Sequence, residues 1–74
     1  MEKFGTIVFY KRRLAPRNQR YRWRFRYANG KKGPNGGEGF SSLKDAERSA
    51  FELTGYGAFH EHRGAIELEF EVER

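Results

Sequence analysis

Arg20-Tyr21-Arg22-Trp23-Arg24-Phe25-Arg26-Tyr27 alternates arginine with an aromatic residue without a break. Side chains on a strand point to opposite faces in turn, so a strand here sends four guanidinium groups to one side and four rings to the other. One face is built for a core and the other for water or an acidic partner.

The flanking segments supply neighbours for this strand. Phe4 to Lys11 is rich in β-branched and aromatic types, with Ile7 and Phe9 alternating against Val8 and Tyr10, and reads as a first strand apolar on both faces. Leu14-Ala15-Pro16-Arg17-Asn18-Gln19 holds the Pro and Asn of a connection longer than a two-residue turn. Asn29-Gly30 predicts a type I′ hairpin turn, because both residues tolerate positive φ. The third strand, within Lys31 to Phe40, contains four glycines and a proline, so a frayed or bulged edge is expected.

From Ser42 the period changes. Ser42 with Asp45 forms a capping-box pattern, and Leu43, Ala46, Ala50 and Leu53 fall on one helical face before Gly55 stops the helix. Tyr56 to Gly64 reads as a loop. Ala65 to Arg74 reads as a last strand in which Ile66, Leu68, Phe70 and Val72 alternate with Glu67, Glu69, Glu71 and Glu73. The expected fold is α+β, an antiparallel sheet of three or four strands with one helix on its aromatic face.

With 74 residues the chain is expected to form one domain, residues 1–74. A domain of this size buries only roughly 60% of its unfolded surface. Twelve aromatic residues must then supply much of the core. There is no cysteine, which fits a reducing compartment, and no apolar run approaches the roughly 20 residues of a membrane span. A cytoplasmic protein without a membrane partner is expected. Residues 1–40 carry eleven Lys/Arg against two Glu and residues 41–74 four against eight Asp/Glu, a net +9 followed by −4. The basic part suits a polyanion, and the acidic part can neutralise it from within the molecule or from a second copy.

The block Tyr21-Arg22-Trp23-Arg24-Phe25-Arg26 with Asn29-Gly30, then Gly37-Glu38-Gly39-Phe40-Ser41-Ser42 and Ala46, resembles the small bacterial and archaeal YegP-like family, also known as DUF1508. The resemblance covers about residues 4 to 55. It implies a β-β-β-α unit, often doubled within a chain or paired between chains, and no established activity. This chain differs in its glycine-rich third strand, in lacking a Gly-Ile pair in the helix, and in a Glu-alternating strand where a second repeat would stand. The same order of elements is similar to that of the AP2-type DNA-binding domain and of the arm-binding domains of phage integrases, which lay a sheet face with Arg and Trp into the major groove.

Two classes of function fit these residues. In the first, Arg20, Arg22, Arg24 and Arg26, flanked by Lys11, Arg12, Arg13, Arg17, Lys31 and Lys32, bind nucleic acid, with duplex DNA as the expected target. In the second, the strand carrying Glu67, Glu69, Glu71 and Glu73 pairs along a sheet edge, in a protein complex or a homodimer. Between them stands a third reading of the same charges, in which the arginine and glutamate ladders meet each other. Trp23, Tyr21, Phe25 and Tyr27 are expected in the core more than as stacking platforms for bases. His60-Glu61-His62 offers two imidazoles but no third ligand at suitable spacing, so no metal or other cofactor is expected. No nucleophile, base and acid set is recognisable, and neither an enzyme nor a small-molecule substrate is expected.

Overall fold

The computed structural model describes residues 2–73. Five consecutive residues of the first strand, Gly5 to Phe9, are buried on both faces, and the sheet is arranged around them. This strand, β1 (Gly5–Lys11), lies inside a four-stranded sheet, between β2 (Tyr21–Tyr27) and β4 (Ile66–Phe70), with β3 (Lys32–Asn35) outside β2. A strand apolar on both sides belongs at the centre of a sheet covered on both sides.

β1 and β2 form an antiparallel hairpin in which Ile7 faces Phe25 and Phe9 faces Trp23. The connection folds on itself through Ala15 N–H to Arg12 O (3.2 Å) and through a 3₁₀ turn, Arg17–Gln19, closed by Gln19 N–H to Pro16 O (2.8 Å). Arg20 ends that turn with helical backbone angles, so β2 begins at Tyr21 and the strand holds three arginines of the alternating series, not four. At the next turn only Gly30 takes a positive φ (87°), and its N–H bonds Tyr27 O at 2.9 Å. Asn29 stays at negative φ. The expected type I′ turn is therefore replaced by a longer connection with glycine as the left-handed residue.

β3 is short and its register with β2 shifts between Arg24 and Arg26, as the glycines and Pro34 foretold. The glycines have a packing reason as well. A Cβ on Gly33 would stand 2.8 Å from Phe25 Cδ1, and one on Gly36 2.7 Å from Trp23 Nε1. A Cβ on Gly5, across β2's other edge, would overlap Phe25 Cζ. Glycines on both neighbouring strands thus make room for the rings of β2.

The helix α1 (Leu43–Leu53) crosses the aromatic face. Ser42 caps it, its Oγ accepting Asp45 N–H at 3.2 Å, while the Asp45 carboxylate accepts from Ser41 Oγ (3.4 Å). Ala46 and Ala50 are fully buried, and their small side chains let the helix sit close to Ile7, Phe9, Trp23 and Phe25. Trp23 Nε1–H donates to Ser49 Oγ at 3.1 Å, which satisfies the one polar atom of the ring. The segment expected as a loop after α1 instead forms α2 (Gly57–Glu61) and a 3₁₀ turn, Arg63–Ala65. α2 has a role in the core, since Phe59 meets Phe25 edge-on (5.1 Å between centroids) and Phe4 likewise (5.7 Å).

β4 pairs with β1 in parallel, Ile7 opposite Leu68 and Phe9 opposite Phe70, so the sheet is mixed where a wholly antiparallel one was expected. The intervening helix returns the chain to the same end of β1, which makes the parallel direction available. The strand is also shorter than expected, leaving Glu71 and Glu73 beyond its end and Arg74 outside the described residues. No helix among the described residues is long and apolar enough to cross a membrane.

Trp23→Ala is expected to destabilise the fold by about 3 to 5 kcal/mol, in line with large aromatic truncations in cores. Gly5→Ala should cost about 1 to 3 kcal/mol by overpacking against Phe25. Urea denaturation of both variants checks this. A Trp23→Ala protein with unchanged midpoint would remove the ring from the core.

Candidate nucleic-acid interface

Arg22, Arg24 and Arg26 stand on the outer face of the sheet, opposite the helix, and register sets what lies beside them. Arg26 is level with Thr6 and Arg24 with Val8 on β1; across those residues lie Glu67 and Glu69 on β4. The arginine and glutamate strands are not neighbours, since β1 separates them, yet their side chains meet over it. Arg26 Nη2 approaches Glu69 Oε2 at 3.4 Å and Arg24 Nη2 approaches Glu71 Oε1 at 3.6 Å. Each guanidinium reaches the carboxylate two residues beyond the one level with it. Lys3 Nζ pairs with Glu67 Oε2 at 3.1 Å and extends the series.

All these side chains remain between 43% and 65% exposed, so each pair contributes at most about 1 kcal/mol. Their larger effect is as cover. Val8 is fully buried and Thr6 nearly so, although both point away from the helix. Among the described residues the arginine stems and carboxylates, with Lys3 and Tyr10, cover the outer face, in the manner of long charged side chains that lay apolar carbon over apolar neighbours. The Arg24 guanidinium lies 4.6 Å from the centroid of the Tyr10 ring, which adds a cation–π contact.

The other basic residues are placed differently. Arg20 Nε–H donates to Ala15 O (3.1 Å) and Arg22 Nε–H to Gln19 O (3.2 Å), so these two arginines brace the β1–β2 connection. That connection holds out Arg12, Arg13 and Arg17, all exposed, and its tip residue Leu14 is fully exposed. Lys11 lies 5.3 Å from the Tyr21 ring centroid. None of Lys11, Arg12, Arg13 and Arg17 enters an ion pair among the described residues. Lys31 and Lys32 are exposed at the opposite end of β2, about 20 Å away for a strand of this length.

No family model, no curated protein and no solved structure matches this chain. The β-β-β-α order is present, but an order of elements assigns no family. What the surface binds must be argued from its own charge and shape.

His62 stacks on Phe4 (4.5 Å between centroids, 8° between planes), and no group of three His, Cys, Asp or Glu side chains among the described residues could hold an ion. Sequence reasoning overlooked Lys3 and Tyr10, which complete the outer face. Both depend on strand pairing that local pattern does not encode. It likewise overlooked Arg20 and Arg22 as braces.

Arg24→Ala is expected to destabilise the fold by roughly 1 to 2 kcal/mol, because Val8 and Tyr10 lose their cover, whereas Arg24→Met keeps most of that stability. Glu71→Gln should cost less than about 0.5 kcal/mol. Thermal denaturation of the three variants compares them. Equal losses for Arg24→Met and Arg24→Ala would make charge, and not cover, the working quantity.

Proposed function

We propose that the protein is a non-enzymatic module that binds double-stranded nucleic acid, DNA foremost, through the cations at the ends of β2. Lys11, Arg12, Arg13 and Arg17 make the principal contacts, and Lys31 and Lys32 make a secondary set. The single observation that carries this reading is the braced cluster on the β1–β2 connection, whose cations enter no ion pair among the described residues. A connection already tied down by Arg20 and Arg22 loses little conformational freedom when phosphates arrive. No acidic residue stands between Lys3 and Glu38 in the sequence; Glu71 and Glu73 line a cleft with Lys11 and Arg13, without an ion pair to either cation among the described residues.

The arginine face takes a lesser part than the sequence suggests. Arg24 and Arg26 are engaged with Glu71 and Glu69, and a phosphate must displace a carboxylate to reach either. Arg20 and Arg22 act as positioning residues. Cytoplasmic residence belongs to the same reading, and a chain without cysteine is compatible with it.

Titration of a mixed-sequence duplex at several salt concentrations tests the proposal. With four phosphates engaged, log Kobs should fall against log salt with a slope of roughly −3 to −4. The triple variant Arg12→Ala, Arg13→Ala, Arg17→Ala should bring the slope to about −1, while Arg26→Ala leaves it unchanged. Glu69→Gln with Glu71→Gln should strengthen binding by freeing two guanidinium groups. Absence of binding at low salt, or a triple variant that binds like the parent, would sink the proposal.

A further inference from the structure

β4 is the sheet edge remote from β3. In its ladder with β1, Glu67 and Glu69 turn their backbone groups inward, in phase with Glu71, whose N–H bonds Phe9 O at 2.7 Å. Leu68, on the alternate position, therefore presents its N–H and C=O to the open side. Next to this backbone, on the helix side, lies a groove of about 310 Å³ between Phe51 and Thr54 of one wall and Ile7, Ile66 and Leu68 of the other, with Arg63 at its rim. Leu68 is 46% exposed and Phe51 41%, high values for large apolar side chains that face a core layer. The opposite side of the same strand is acidic, with the Glu67 side chain 65% exposed and that of Glu69 47%.

Charge separates the possible occupants. A second β4 paired about a two-fold axis would set Glu67 and Glu69 against the same carboxylates, and like charges across strands repel. The chain's own free edge, β3, suits it poorly. Pro34 lacks an N–H, and Lys32, Gly33 and Asn35 offer the groove no apolar side chain. A strand alternating lysine or arginine with aliphatic residues satisfies both sides at once. Its cations would lie over Glu67 and Glu69, each of which has spare acceptor capacity beside its present partner, and its aliphatic residues would enter the groove.

We propose that β4 is a docking edge for an extended basic–aliphatic segment of another protein, which adds to the sheet as a fifth strand. This surface is separate from the cations of the β1–β2 connection, and the two sites can be occupied together.

The probe is a capped peptide of about eight residues alternating lysine and valine, a usual strand length. A peptide alternating glutamate and valine is the control. Backbone amide shifts and hydrogen exchange of the full chain are followed during titration. The lysine peptide should slow exchange of the Leu68 amide at least about tenfold at saturation, and the glutamate peptide should not. Glu67→Gln with Glu69→Gln should weaken binding about tenfold. Leu68→Lys should abolish it while the β1 and β2 amides keep their positions, which shows that the fold persists. The proposal is overturned by absence of binding, by equal binding of both peptides, or by shifts confined to residues 11–17. It is equally overturned if the Leu68 amide of the free protein is already protected in a concentration-dependent way, since a second copy would then cover the edge.

Discussion

Burial of β1 on both of its faces is the constraint from which the rest of this structure follows. Ile7 and Phe9 need a layer on one side and Thr6 and Val8 need one on the other. The longer helix among the described residues, α1, goes to the aromatic side. The outer side has to be closed with side chains alone. Arginine and glutamate suit that task because their stems are apolar enough to cover and their ends are charged enough to remain in water. The alternation in β2 and the alternation in β4 are thus two halves of one cover, held over β1 from either flank.

This arrangement bears on how basic sequences are read. An arginine ladder invites assignment to a polyanion, but the guanidinium groups of Arg24 and Arg26 already have carboxylates within 3.6 Å. Charge that the fold uses is not wholly available to a ligand. The cations left over lie where the chain turns, and there the arginines closest to the turn serve as struts for those further out. Opposite charges in the two halves of the sequence therefore divide by position: those that face each other across β1 form ion pairs, and among the described residues the cations of the β1–β2 connection form none.

The alternation from Tyr21 to Tyr27, the apolar first strand and the capped helix were legible because each is written in a local period of two or 3.6 residues. Trp23 and Phe25 could be assigned to the core on size alone. The parallel direction of β4 was not legible, because it depends on where α1 and α2 return the chain. α2 itself was hidden by its glycines and histidines, and its worth lies in a single ring, Phe59, docked against Phe4 and Phe25. Gly33 and Gly36, in and just after β3, looked like weakness and proved to be clearance for neighbouring rings, a reason visible only when the strands are side by side. At the surface the sequence pattern could not sort the arginines that brace or pair within the fold from those that stay open, because that division depends on strand pairing.

The parallel ladder also imposes an order on how the chain acquires its shape. Gly5 is matched with Ile66 and Phe9 with Phe70, so the innermost strand has its second neighbour at a separation of about sixty residues. The β1–β2 hairpin closes over a short span and can form early, but until the last segment arrives β1 remains an edge with apolar residues on both sides. During synthesis that edge stands open until the residues of β4, about sixty positions later, have been made. Contacts at this sequence distance favour slow, late completion, and the interval before it is when pairing with a wrong strand is easiest. The glutamates that later help to seal the outer face arrive with the strand that ends this exposure.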